Sequence, residues 1–326
     1  MVVPREAGHG GGARLMAVGA TARVGGASGA PVLDSVLQAI GNTPLVRLRL
    51  PELPERVELW GKCEWLNPGG SVKDRTALSL VLEGEKSGAL RPGRTIIDSS
   101  SGNTAVGLAL VGRARGYDVE LVMPSNVSPA RRRLCEAYGA TLVVTDPLMG
   151  ADGAITTVRE RVAQAPERYF YADQYRSPAN PLAHYRGTGP EVWEQTEGRL
   201  THFVAGLGTS GTVMGAGRFL HERDRRIRVV AVQPDDALHG LEGLKHMPTS
   251  LVPAIYDPAG HDELVLVKTE DGVAEASRAL RDHGLLVGHS AGAALWAARR
   301  LAGTLAAGVV VALLPDGGER YLEAGG

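Results

Sequence analysis

Lys73 closes the run Asn67-Pro68-Gly69-Gly70-Ser71-Val72-Lys73 and is followed by Asp74-Arg75, where a turn of small residues gives way to a helix. An amine in the first turn of a helix lies in the positive field of the helix N-terminus, which favours its neutral form and so its attack on an aldehyde. Taken alone, such a lysine is more simply read as a solvated residue beside an acid and an arginine. Three other turns argue against that simpler reading. Ser99-Ser100-Ser101-Gly102-Asn103-Thr104 gathers hydroxyls, an amide and free backbone N–H groups at a helix start, a nest suited to a carboxylate. A plain cap accounts for one of those serines. Gly206-Leu207-Gly208-Thr209-Ser210-Gly211-Thr212 lets the backbone approach a phosphate and adds three hydroxyl donors. Gly288-His289-Ser290-Ala291-Gly292-Ala293 is a fourth turn of the same kind. Each is also readable as a close-packed glycine turn; the specific signal is their occurrence together with one lysine.

Such turns need strands that end beside one another. From Pro31 onward, β-rich runs alternate with amphipathic stretches, predicting strands at Val57–Glu64, Thr95–Asp98, Val119–Met123, Thr141–Thr145, Thr201–Leu207, Arg228–Gln233, Glu263–Lys268 and Val309–Leu314. Helical periodicity covers Thr104–Arg115, Ser128–Tyr138, Gly211–Glu222, Asp271–His283 and Ala291–Leu301. This is an α/β chain with mainly parallel sheets, in which ligands bind at the carboxyl ends of strands. Tyr171–Pro190, dense in Pro, Asn, Gly and Tyr, reads as a connection between domains. Residues 1–30, rich in Gly and Ala, read as a disordered leader.

The bulk properties exclude several classes. A net charge of -1 without charged blocks announces no polyanion-binding surface, so no nucleic acid is expected. Cys63 and Cys135 lack the close spacing of zinc or redox motifs; no metal is expected, and a reducing, cytoplasmic setting fits. No apolar run reaches the length of a membrane span. A dinucleotide site competes for the turn at Gly206, but its glycines do not follow G-x-G-x-x-G and no acid ends the next strand.

Gly41-Asn42-Thr43-Pro44-Leu45, Asn67–Arg75, Ser101–Thr104, Gln174, Asn180-Pro181, Thr188–Glu191, Gly208–Thr212, Ser290–Gly292 and Leu314–Tyr321 occur in an order that resembles the fold-type II pyridoxal-phosphate family. The likeness runs from about Leu33 to Leu322 and is closest to the cysteine synthases, with cystathionine β-synthases beside them. The resemblance implies two three-layer α/β domains of the tryptophan synthase β type. The smaller N-terminal domain would span 43–180, and the C-terminal one 31–42 and 181–322. It implies pyridoxal 5'-phosphate as cofactor, held by Lys73 as a Schiff base, with Asn103 at its ring hydroxyl and Ser290 at its pyridine nitrogen. Gly208, Thr209, Ser210, Gly211 and Thr212 would cradle the phosphate; Ser100, Ser101, Gly102, Thr104 and Gln174 would hold the substrate carboxylate. The implied reaction is β-replacement on O-acetyl-L-serine or O-phospho-L-serine, through an α-aminoacrylate, with sulfide or another sulfur donor as nucleophile to give L-cysteine. The family usually forms homodimers.

Some positions depart from the family's pattern. Ser100, Ser210 and Ala105 stand where relatives commonly carry Thr, Gly and Gly, and His289 precedes Ser290 in place of a smaller residue. Val127 stands where many relatives carry Met near the incoming nucleophile, and is expected to reshape that pocket. Lys245 corresponds to a cationic residue of the O-phosphoserine-using enzymes and is read as either a contact for a phosphate leaving group or a solvated loop lysine. Arg131, Arg132 and Arg133 read as a solvated helix face, and His184 as a packed, hydrogen-bonded histidine. The alternatives are a cystathionine β-synthase core, a synthase using another thiol or amine, a non-catalytic relative and a nicotinamide oxidoreductase.

Overall fold

A computed structural model describes residues 32–322; the leader read from residues 1–30 lies outside them. The first strands are β1 (Leu45–Leu48) and β2 (Val57–Cys63), then α1 (Lys73–Lys86), β3 (Thr95–Ser99), α2 (Asn103–Arg115), β4 (Val119–Pro124), α3 (Pro129–Ala137) and β5 (Thr141–Thr145). There follow α4 (Gly150–Gln164), β6 (Tyr169–Tyr171), α5 (Ala179–Ala183), α6 (Gly189–Gln195), β7 (His202–Gly206) and α7 (Gly211–Arg223). The chain continues through β8 (Arg228–Pro234), β9 (Glu263–Val267), α8 (Thr269–His283), α9 (His289–Thr304) and β10 (Gly308–Leu314).

These strands form two sheets, one in the order β1-β2-β10-β7-β8-β9 and one in the order β5-β4-β3-β6. Every pairing is parallel except that of β1 with β2. The apolar runs of β8 and β10 are buried almost without interruption because helices cover both faces of the larger sheet. Side chains alternate between two cores: Val204, Val230, Val310 and Ala312 pack with Leu295 and Ala298 of α9, whereas Phe203, Val229, Val311 and Leu313 pack with Val213 and Leu220 of α7. The smaller sheet repeats the plan, with Ile96 and Leu121 against α1 and α2, and Ile97 and Val122 against α4. Both sheets are therefore three-layered.

The cut at residue 43 is displaced. β1 and β2, read as part of the N-terminal domain, belong to the larger sheet, because β2 pairs along its length with β10 from Val57↔Gly308 to Cys63↔Leu314. Of the segment read as 31–42, the described residues 32–42 go the other way: Leu37 packs with Ala77 and Leu108 in the core of the smaller sheet. The chain crosses at Gly41 and Asn42, both in left-handed backbone at φ 91° and 49°.

Candidate active site

The turn that carries Lys73 is fastened from several sides. Gly70, at φ 79°, closes it with an N–H···O bond to Asn67 of 2.8 Å, and the Gly69 N–H donates to Asp74 Oδ2 at 2.5 Å. Val72 N–H donates to Pro315 O at 2.8 Å, tying the turn to the segment after β10. Beneath it lies a buried ionic cluster. Arg75 binds Glu64 at 2.7 Å and Glu191 at 2.6 Å, and the fully buried Lys62 binds Glu191 at 2.6 Å. Thr43 Oγ1 donates to Glu64 at 2.6 Å, its carbonyl accepts from Lys62, and Asn42 N–H donates to Glu191 at 2.9 Å. The Gly41–Leu45 signature thus acts as a staple behind the lysine turn. Burial opposes ionisation of Glu191, but Arg75 and Lys62 outweigh it and hold the carboxyl at about 2.

Lys73 is the first residue of α1 and its side chain lines the principal cleft. Desolvation lowers its amine from the usual lysine range, while the carboxylates of Asp316 and Glu64 oppose that shift. Among the described residues, no carboxylate lies within 4.0 Å of the amine.

On the opposite wall, β7 runs into the turn that opens α7. Ser210 adopts φ 71°, where glycine is unstrained and serine costs about 1–2 kcal/mol. A Cβ at Gly208 would meet the Gly243 carbonyl, and one at Gly211 would meet Asn180 Oδ1. Asn180 Nδ2 donates to Thr209 Oγ1 at 2.9 Å and so fixes the turn. Thr212 Oγ1 lies 3.3 Å from His184 Nε2; that histidine is fully buried, also contacts Thr188 at 2.9 Å, and is held well below its ordinary pKa by burial and then by Lys73 and Arg75. The packed reading of His184 holds.

The carboxyl end of β3 supplies the third wall. Ser100 Oγ accepts from Gly102 and Ala105 N–H at 3.3 and 3.2 Å, which ties the turn to the first residues of α2. Thr104 Oγ1 donates to Gln174 Oε1 at 2.6 Å, both buried, while Ser101 is exposed at the mouth. Ser290, buried in the first turn of α9, and Lys245 complete the lining. The Lys245 amine sits 5.2 Å from the Tyr175 ring centroid and is lowered by burial, so it is a cleft residue and not a solvated one.

Every sequence-read site residue lines this cleft except Ser210 and Gly211, which belong to the same turn as Gly208, Thr209 and Thr212. Two expectations fail. Val127 packs in the core of the smaller sheet and is not among the lining residues. Arg131 is not on a solvated face: its side chain is 9 % exposed, its Nη1 donates to Ser101 O at 3.0 Å and to Glu242 at 2.5 Å, and it lines the cleft. Arg132 is likewise held, by the Ser125 and Val127 carbonyls. Sequence reading also gave no role to Asp316, Arg320 and Tyr321, which form a hydrogen-bonded group around Asn103. Their only signal was the Leu314–Tyr321 match.

The cleft holds about 240 Å³, room for a small-molecule ligand. Its chemistry suits an aldehyde that carries a phosphate: a desolvated amine at one helix start, and a backbone turn at another where added Cβ atoms would intrude and the buried Ser210 Oγ has no partner. Fold and cleft together define an α/β enzyme built around such a cofactor. Residues 36–316 match the pyridoxal-phosphate dependent enzymes, and the chain belongs to that family, whose cofactor is pyridoxal 5'-phosphate. It is 51 % identical over 296 residues to "Cysteine synthase" of Aquifex aeolicus, covering 89 % of this chain and 90 % of that one. Among solved structures, O-acetyl serine sulfhydrylase isoform 3 of Entamoeba histolytica is similar at TM-score 0.85 and 36 % identity, over 90 % of this chain and 91 % of that one. An O-ureido-L-serine synthase is similar at TM-score 0.85 and 38 % identity, over 90 % and 95 %. The fold-type II architecture expected from the resemblance is borne out.

Proposed function

We propose that this chain catalyses β-replacement on an activated L-serine, O-acetyl-L-serine or O-phospho-L-serine, with sulfide as nucleophile, to give L-cysteine. The observation that carries the reading is that Lys73, the Gly206–Thr212 turn, the Ser99–Thr104 turn and Ser290 share one cleft. Sequence similarity to a cysteine synthase over nine-tenths of the chain supports it. Bound pyridoxal 5'-phosphate supplies an aldehyde that captures the substrate nitrogen and a ring that accepts electron density from Cα. Lys73 would hold that aldehyde and, once displaced, take the α-proton; burial lowers its basicity, the direction that favours the neutral amine both tasks need. Gly208, Thr209, Ser210, Gly211 and Thr212 would bind the phosphate through N–H and hydroxyl donors at the start of α7. The Ser290 hydroxyl, at the pyridine nitrogen, cannot stabilise a positive ring as a carboxylate would, so electron withdrawal stays weak and expulsion of the β-group is favoured. Ser101, Gly102 and Thr104, with Ser100 and Gln174 behind them, would hold the substrate carboxylate and exclude water.

Lys245 supports the phosphorylated substrate over the acetylated one, because a desolvated cation facing the cleft makes a charge-assisted contact with a phosphate. With this reading go a cytoplasmic location and a homodimer, the latter open to sedimentation analysis. Borohydride reduction of the loaded enzyme followed by peptide mapping should place the cofactor on Lys73. Assays with O-acetylserine, O-phosphoserine and serine against sulfide and homocysteine should give cysteine from an activated serine. Cystathionine as the main product, or modification of a different lysine, would overturn the assignment.

A further inference from the structure

We propose that Asp316 and Arg320 are positioning residues that lock the Asn103 amide with an N–H turned to the cleft, so that the site takes the cofactor's ring oxygen as the anion. The inference rests on the reading that Asn103 faces that oxygen. Arg320 carries only donors and an ionised Asp316 only acceptors. Arg320 Nη1 donates to Asn103 Oδ1 at 2.5 Å, and Asn103 Nδ2 donates to Asp316 Oδ2 at 2.7 Å. Turning the amide over would set N–H against guanidinium and carbonyl against carboxylate, so one orientation is enforced. The amide oxygen is then engaged, and the second Nδ2 hydrogen is the group left to offer. A donor in that place stabilises an oxyanion and opposes a neutral hydroxyl.

The two locking residues are themselves held. Tyr321 OH donates to Asp316 Oδ2 at 2.7 Å, and Arg320 Nη2 donates to the Gly69 carbonyl in the turn before Lys73. Asp316 is 1 % exposed, and its backbone carbonyl accepts from Gly288 N–H at 3.1 Å, two residues before Ser290. The lock thus joins the segments that carry Lys73, Asn103 and Ser290, and it gives the Leu314–Tyr321 match a task.

The test compares the absorbance of cofactor-loaded Asp316→Asn, Arg320→Met and Arg320→Lys with the unaltered enzyme at neutral pH, with borohydride mapping of the Lys73 link. Asp316→Asn and Arg320→Met should each lower the ratio of the visible band, given by the oxyanion form, to the near-ultraviolet band by at least about twofold, while Lys73 stays linked; Arg320→Lys should restore most of the ratio. In an Asn103→Ala background, Asp316→Asn should add nothing further. Unchanged band ratios in folded variants, or an equal shift with Asn103 absent, overturn the lock. Where Asp316→Asn fails to fold, the Arg320→Met and Arg320→Lys pair decides alone. Failure of the underlying reading is distinct: the unaltered enzyme would then show no cofactor on Lys73 at all.

Discussion

Replacing Glu191 by glutamine removes one charge from a cluster that is otherwise neutral, and leaves Lys62 and Arg75 facing Glu64 alone. Lys62 is fully buried; its amine touches Thr43 O and Glu191 at 2.6 Å and Gln195 Oε1 at 2.9 Å, and burial already depresses it. Holding the Glu191 carboxyl at about 2, against its ordinary 4.5, corresponds to roughly 3 kcal/mol in favour of the ionised form. Breaking a buried pair by removing one partner costs about 3–5 kcal/mol, which agrees. For a chain of this size each kcal/mol lowers the thermal midpoint by about 2 °C, so Glu191→Gln should melt roughly 6–10 °C below the unaltered protein. The acid limb gives a second reading. A depressed carboxyl contributes stability that is complete above its unfolded value and is lost as pH falls through its folded one. The unaltered protein should therefore lose this contribution between about pH 4.5 and 2, and the variant should show a shallower decline there. A midpoint within about 2 °C of the unaltered one at neutral pH, or an identical acid slope, refutes the account of the staple.

Three other outcomes follow from the geometry. Ser210→Gly should raise the unfolding free energy of the cofactor-free protein by up to about 1 kcal/mol by relieving left-handed strain, whereas Ser210→Val should lower it; denaturant titration separates them. Cys63 and Cys135 are buried, and burial raises their thiols to about 12 and about 11, so neither should react with a disulfide reagent at mildly alkaline pH until the protein is unfolded, when both should. Arg131→Met and Glu242→Gln should each raise the KM for the amino-acid substrate several-fold with less effect on kcat. The double variant should be no worse than Arg131→Met, because one contact spans the cleft mouth.

The turns that line the cleft were legible because each combines small residues, hydroxyls and a strand-to-helix change within a few positions. The alternation of strands and helices was legible for the same local reason. β1 and β6 escaped notice at four and three residues, and α4 escaped because it opens on Gly150 with no capping side chain. The crossing at Gly41 depends on a pairing between β2 and β10 that no local pattern announces. Arg131 looked solvated because its neighbours in sequence are arginines, yet its partner Glu242 is 111 positions away. Asn103 and Arg320 are 217 positions apart, so the amide lock could be seen only in three dimensions.

The position of β10 bears on how the chain comes into being. It lies in the middle of the larger sheet, between β2 and β7, yet it is the last strand to be made. Gly308 emerges 251 residues after its partner Val57, a delay of roughly 12–50 s at about 5–20 residues per second of synthesis. Until then the edge of β2 is without its neighbour, and a nascent chain presents an open strand to other nascent chains. Lowering the translation rate should therefore increase aggregation during expression, and mature enzyme diluted from its ribosomes should be free of that hazard.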